Sequence, residues 1–405
     1  MSAASRAPLA DTGLREAERI ASIVLRFLPA GLAPYFDARF TRSHLLFDEY
    51  VYRLTVQVLA DSRLDDALCE WATPQELVAR MGLDARSSVV PVGWMLRHLA
   101  ARGALARQDG PDGPRFQAVD GLPAVDAQST LGEQRAHDPG CLPSYALAET
   151  AARDYPRFLR GERSGEEILL SPTRLSHWAA YFSNDNSLYA VNNRVGAAAL
   201  GAWMPPGRNA ILELGGGFGS GTMAALEWLA AGDRLADVEV YRFTEAVPAF
   251  LRRAQRLGER MAEAGRVTFA PLDMNRPFGE QGVAAESVSI VYAVNTLHVA
   301  HDLAFTLAET RRALRPGGQV IVSECIRPLP EQTLYPEFIF NLMETFRAPR
   351  LEPRYRPNGG FLMPQQWTAA LEAAGFVDLR VFPDIAQMCR LVPIFCIAAI
   401  GGTRP

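Results

Sequence analysis

The sequence predicts an α/β protein: a mainly helical N-terminal domain with a winged-helix-like part, followed by a doubly wound, mostly parallel seven-stranded sheet. Three features predict it. From Asn209 onward short β-rich runs alternate with helical runs, which implies parallel strands joined by crossover helices. A glycine cluster from Gly215 to Gly221 leads from the first of those runs directly into a helix. Between Leu45 and Pro123 the chain reads helix, turn, helix, hairpin. At 405 residues, and about 150 residues per domain, two to three domains are expected. The pattern divides the chain into 1–123 (packing or dimerisation), 124–204 (linker and helical lid region) and 205–405 (the sheet domain).

Apolar residues recur at helical spacing from Leu14 to Leu28 (Ile20, Ile23, Val24, Phe27) until Pro29 stops the pattern. A second helix is read from about Leu45 to Leu59. Thr73-Pro-Gln-Glu76 has the capping-box spacing with proline at the first helical position. After Asp84 a further helix runs through Trp94, Leu96 and Leu99 to Gly103, and Ala104 to Pro123, with DGPDG in its middle, fits a hairpin. This winged-helix order raises nucleic acid as a partner. A groove-reading helix needs a polar, hydrogen-bonding face, however, and PVGWMLRHLAARG offers only Arg97, His98 and Arg102, so packing or dimerisation is the expected role.

Residues 124 to 146 lack periodicity and are rich in Asp, Gly, Pro and Gln, which reads as a linker or surface loop. A helical region follows from about Ala146 to Ala202. The sheet then runs NAILEL, VEVYRFTE, RVTFAPLD, SVSIVYAVN and GQVIVSEC, with TMAALEWLAA, PAFLRRAQRLGERMAEA and LAFTLAETRRALR as crossovers. Near the end WTAALEAAG is a helix, and VDLRVFPD and PIFCIAAIG are the last two strands.

Composition removes several classes of function. Of the residues, 48% are hydrophobic and 21% charged, the balance of an ordinary soluble protein. No apolar run reaches the eighteen or so residues of a membrane span, so no membrane partner is expected. All 41 basic residues are arginine, which excludes Schiff-base, phosphate-loop and kinase chemistry that needs a lysine amine. A net charge of −4 gives no global pull toward nucleic acid. The five cysteines lack any CxxC spacing and the histidines any metal spacing, so neither a disulfide framework nor a metal is implied. The N-terminus has no signal-peptide pattern, and a cytoplasmic location is expected.

The glycine cluster follows Glu213 at the carboxyl end of the first sheet strand, where open α/β sheets bind ligands. Without lysine it is not a phosphate loop. The dinucleotide frame is met only late, at Gly219-x-Gly221-x-x-Ala224. Glu213 would repel a pyrophosphate but favour a cationic sulfonium and an ammonium, which points to S-adenosyl-L-methionine. Glu245, ending the second strand, is suited to both ribose hydroxyls, and Asp273, ending the third, to an adenine amino group. The plainer alternative makes these acids a helix-end charge and two solvated loop carboxylates.

Glu213-x-Gly215-x-Gly217-x-Gly219 resembles the first motif of class I S-adenosylmethionine-dependent methyltransferases, whose sheet is Rossmann-like. FTEAVPAFLRRAQ, VTFAPLDMN, VNTLHVAHDLAFTLAETRRALRPGG, IVSEC and FLRGERSGEEILLSP are similar to successive blocks of polyketide-synthase C-methyltransferase domains, over about residues 155 to 330. Residues 45 to 123 are similar to the dimerisation domain of small-molecule O-methyltransferases. The resemblance implies S-adenosylmethionine as cofactor, held by Glu213, Gly215, Gly217, Gly219, Glu245, Asp273, Met274 and Asn295. It also implies a small-molecule or acyl-carrier-bound substrate, and a homodimer is suggested by the apolar N-terminal helices.

The fourth sheet strand runs out into Thr296-Leu297-His298 and the fifth ends at Glu324; as neighbours they would bring an imidazole to a carboxylate that orients it. The resemblance implies the same pair, His as general base and Glu as its partner. A capping histidine, with Glu324 paired to Arg327, is the plainer alternative. Asn295 would hold a ligand through its amide or cap the strand end. Tyr181, Tyr189 and Asn192 would line a lid or pack helices. Arg350 and Arg354 lie in an arginine-rich segment that would receive a carrier's phosphate or be merely solvated. Methyl transfer to an acidic carbon is expected, with transfer to a hydroxyl as the alternative and a non-catalytic metabolite-binding regulator as the distant one.

Overall fold

The computed structural model describes residues 9–258 and 266–405. The first eight residues, read above for leader signals, and the end of the helix read over PAFLRRAQRLGERMAEA lie outside them.

The strands are β1 (Ala106–Gly110), β2 (Gly113–Gln117), β3 (Asn209–Leu214), β4 (Val238–Glu245), β5 (Val267–Pro271), β6 (Val288–Val294), β7 (Leu314–Cys325), β8 (Val377–Phe382) and β9 (Ile397–Thr403). β1 and β2 form the hairpin, and the other seven form one sheet in the order β5-β4-β3-β6-β7-β9-β8. β3 to β7 pair in parallel, and β9 runs antiparallel between β7 and β8. β6 is buried along its whole length, as expected for a parallel strand covered by helices on both faces.

The chain leaves β3 toward β4 on one side and returns to β6 on the other, so the switch point lies between β3 and β6. A crevice opens at the carboxyl ends of the strands there. The helix Ser187–Trp203 covers β7 and β9 closely. At Gly196 a Cβ would lie 2.6 Å from Tyr292 Oη and 2.8 Å from Ser323 Cβ, so only glycine permits this approach.

The N-terminal helices lie where the sequence reading puts them, with shifted bounds: Leu9–Val24, Ala38–Asp61, Pro74–Arg80 and Ala85–Ala101. Thr73 and Glu76 form the capping box, an arrangement worth about 1 kcal/mol. The helix Ala85–Ala101 is buried: Val92, Trp94, Met95, Leu96 and Leu99 are at most 3% exposed, and Trp94 Nε1 donates to Glu337 Oε2 at 2.8 Å. It packs, although Arg86 and Val90 stay exposed. Apolar residues of these helices also pack inside the chain; Phe47, for example, meets Tyr145 and Tyr335 with ring centroids 4.8 and 5.0 Å away.

Residues 124 to 146 are not a linker. They carry the helix Ala127–His137, a 3-10 turn Pro139–Cys141 and the start of the helix Leu142–Leu159. Periodicity missed them because the buried face is small and polar: Ala127, Thr130 and Gln134 are its buried residues. Gln134 Nε2 donates to Ser43 Oγ at 3.0 Å and its Oε1 accepts from Tyr145. Asp126 caps this helix through the N–H groups of Gln128 and Ser129.

A single apolar cluster runs from Ile20 to Ile400. Among the described residues no helix is long and apolar enough to cross a membrane, no group of His, Cys, Asp and Glu has metal-site geometry, and the cysteines are free.

Candidate active site

The crevice is a cavity of about 650 Å³ whose wall includes Tyr181, Tyr189, Asn192, Glu213, Gly215, Gly217, Glu245, Asn295 and His298. The strand ends place them there: Glu213 lies next to last in β3, Glu245 closes β4, Asn295 follows β6 and Glu324 lies next to last in β7.

Gly215 has φ +60, and a Cβ on it would lie 2.1 Å from Thr296 Oγ1. The turn after β3 therefore needs glycine for both its conformation and its closeness to the β6 end. Glu213 is 1% exposed, and its Oε2 accepts from Thr222 Oγ1 at 2.5 Å. Burial pushes its carboxyl up to about 7, against the opposing pull of the Thr222 and Tyr241 hydroxyls. Glu245 accepts the Gly217 N–H on Oε2 at 2.9 Å and the Val247 N–H on Oε1 at 2.7 Å, which ties the second strand end to the glycine turn. Burial raises its carboxyl as well, with those N–H groups opposing.

His298 lies in the short turn Leu297–Val299 after β6. Its Nδ1 is 2.6 Å from Glu324 Oε2, while Glu324 Oε1 accepts the N–H groups of Thr296 at 3.1 Å and Leu297 at 2.8 Å. A carboxylate only accepts, so Nδ1 donates and Nε2 keeps its lone pair. Phe346 and Phe361 flank the imidazole, with centroids 5.8 and 4.8 Å away. Arg327 pairs with Glu337 instead of Glu324.

Other expected site residues lie elsewhere. Asp273 and Met274 are off the cavity wall: Asp273 Oδ1 accepts from Asn275 N and Nδ2, and the Met274 carbonyl accepts from Thr306. The third strand stops at Pro271, so these residues belong to the turn beyond it. Gly219 caps the helix Ser220–Ala231 at φ +87 and is also off the wall. Asn295 lines the cavity, yet its Oδ1 accepts the Cys325 N–H at 2.7 Å, the strand-end capping alternative. Tyr181 and Tyr189 pack against each other at 5.6 Å while lining the wall.

Arg350 and Arg354 are not brought to the cavity either. Arg350 Nη1 is 2.6 Å from Asp302, and Arg354 Nη2 is 2.8 Å from Glu372. The arginine of that segment that is wholly buried is Arg356, which donates to the carbonyl oxygens of His298 and Ala300. Sequence reasoning missed it because four neighbouring arginines look alike until packing selects one. It also missed Asn193, buried beside Asn192; the Oδ1 of each lacks a partner among the described residues.

A family model described as a methyltransferase domain matches residues 212–320. The chain carries a methyltransferase domain of the S-adenosylmethionine-dependent class. The chain is 28% identical over 341 residues to highly reducing polyketide synthase 2 of Gibberella zeae, covering 81% of the chain and 12% of that protein. It is 30% identical over 267 residues to polyketide synthase ThaG of Burkholderia thailandensis, covering 64% of the chain and 4% of that protein. It thus spans a small part of the curated relatives it matches. In fold it is similar to the CurJ carbon methyltransferase (TM-score 0.75, 20% identity, 97% of this chain and 99% of that one). It is also similar to the citrinin polyketide synthase CMeT domain (TM-score 0.66, 16% identity, 97% and 96%). The methyltransferase cavity fits its cofactor class: the Asn192 and Asn193 oxygens are buried acceptors without partners, as a ligand bearing ammonium and hydroxyl donors requires.

Proposed function

We propose that the chain methylates an acidic carbon of a ketide intermediate, free or carried on a thioester, with His298 as general base and Glu324 as its orienting partner. In this reading Glu213, Asn192 and Asn193 receive the aminoacyl end of S-adenosylmethionine, and Glu245 its ribose hydroxyls. The observation that carries the reading is the 2.6 Å contact of His298 with a carboxylate whose other oxygen is held by two main-chain N–H groups.

His298 Nε2 takes the proton from the carbon between two carbonyl groups, leaving an enolate. Glu324 stabilises the imidazolium that results. S-adenosylmethionine supplies, when bound, an electrophilic methyl group. The walls hold the nucleophile in line with it, and alignment is where most of the acceleration of a displacement arises. Phe340, Phe346 and Phe361 keep water from the enolate. The polyketide synthases among the relatives support a carrier-bound substrate of this kind.

Mass spectrometry of the product of a β-keto thioester tests the reading. An acid-stable C–CH₃ is expected, and a methoxyl product would move the assignment to hydroxyl methylation.

A further inference from the structure

A second cavity, of about 320 Å³, lies between the N-terminal helices and the segment after β7, lined by Arg97, His98, Arg102, Arg107, Gln332 and Thr333 among others. Tyr335 and Cys396 stand in its wall and also in the wall of the methyltransferase cavity. The two spaces therefore adjoin through those two side chains.

Its polar groups are unevenly committed. Arg102 is held by Asp48 and Glu49, and Arg107 by Asp109 and Glu331. Arg97 has no hydrogen bond or ion pair with any described residue, although it feels Glu337 and Glu331 at longer range. His98 is 3% exposed; its Nδ1 meets Thr333 Oγ1 at 3.0 Å and its Nε2 has no partner. Gln332 Nε2 donates to the Pro393 carbonyl at 2.8 Å, leaving its buried Oε1 without a donor. Asp48 and Glu331 are the carboxylates in the wall, and both are already bound to arginine. Among the described residues the uncommitted set is a guanidinium, an imidazole Nε2, which carries hydrogen when Nδ1 accepts from the Thr333 hydroxyl, and an amide oxygen.

Two anion donors beside an acceptor for an amide N–H match a phosphate ester continued by amide groups. We propose that this cavity binds the phosphopantetheine arm of a carrier-bound substrate, Arg97 and His98 Nε2 receiving the phosphate and Gln332 Oε1 an amide N–H, with the arm passing Tyr335 toward His298. The inference rests on the carrier-bound form of the function proposed above. It also replaces Arg350 and Arg354, both already paired with carboxylates, as the phosphate contact.

The test is binding, read by calorimetry on the whole chain with S-adenosylhomocysteine present, using 4′-phosphopantetheine, pantetheine and inorganic phosphate. The phosphorylated arm should bind about tenfold or more tightly than pantetheine, the effect of one charge-assisted hydrogen-bonded contact. Arg97→Gln should erase that preference and Arg97→Lys restore part of it. No preference in the unaltered chain, or a preference that Arg97→Gln leaves intact, overturns the proposal. So does inorganic phosphate binding as tightly as the arm, which would make the cavity a simple anion site. Should Arg97→Gln fail to fold, Gln332→Leu gives a second readout: it should weaken both pantetheine forms equally, and an unchanged affinity overturns the amide contact. Because no methyl transfer is measured, a chain that binds the arm but methylates nothing removes the proposed reaction and leaves this site standing.

Discussion

Arg356, wholly buried, donates to the main-chain carbonyl of His298, so the turn that carries the imidazole is held from behind by an arginine whose guanidinium also binds the Ala300 carbonyl. Burial lowers that guanidinium to about 10, with Glu324 the leading charge that opposes the fall. Removing it strands two buried carbonyl oxygens, each costing about 1–3 kcal/mol. Arg356→Leu should therefore lower the melting temperature and reduce kcat, with little change in S-adenosylhomocysteine affinity. Stopped-assay kcat, calorimetric affinity and a thermal melt separate these effects. A kcat equal to that of the unaltered chain would show that the turn holds itself. As a positioning residue it should cost less of kcat than a change at Glu324, which touches the imidazole itself.

Glu324 supplies that contrast. Its carboxylate takes one imidazole N–H and two main-chain N–H groups. Glu324→Gln replaces one acceptor oxygen with a donor, which favours the wrong imidazole tautomer. A kcat loss on the order of 10² or more is expected, by analogy with other histidine–carboxylate pairs. A normal kcat would reduce Glu324 to a scaffold for the turn.

The sheet was legible because its strands are short apolar runs cut by glycine and by amphipathic helices. His298 and Glu324 were legible because parallel neighbouring strands end at one edge. The residues around them were less so. Arg356 is indistinguishable in sequence from Arg350 and Arg354, and only the bend between Glu352 and Arg356 turns it inward. The helix Ala127–His137 was missed because its buried side is built on Gln134 hydrogen bonds, which periodicity does not register. Asp273 lies two residues beyond the end of its strand, where its carboxylate accepts from the Asn275 N–H, an offset that strand patterning does not register.

Trp94 and Glu337 join the N-terminal helices to the segment after β7. Glu337 is 2% exposed and accepts from Trp94 Nε1 at 2.8 Å, from the Leu334 N–H at 2.9 Å and from Arg327 at 2.5 Å. Trp94→Ala should cost about 3–5 kcal/mol, the range for deleting a large buried aromatic. Trp94→Phe, which keeps most of the bulk, should cost about 1.5–3 kcal/mol for one lost hydrogen bond to a carboxylate oxygen that keeps only the Leu334 N–H. Denaturant titration checks both. Equal losses would mean that volume alone matters at this contact.

Glu213 makes cofactor binding depend on pH in a defined direction. Burial holds its carboxyl up at about 7, so the empty site is largely protonated below that value. A cationic ligand binds the ionised form better and must expel the proton at acidic pH. Affinity for S-adenosylmethionine should therefore rise by up to about tenfold per pH unit between pH 5 and 7, then level off. The stability of the ligand-free chain should move the other way. With the folded value above the ordinary 4.5, the contribution of this group is complete below about 4.5 and is lost as pH rises through 7. Calorimetry at pH 6 in two buffers of different ionisation enthalpy should report release of close to one proton per ligand bound. Glu213→Gln should weaken binding at pH 8, flatten the pH slope and abolish the proton release. A slope that survives the substitution would assign the titration to another group in the cavity, with Glu245, whose carboxyl is also raised by burial, the next to test.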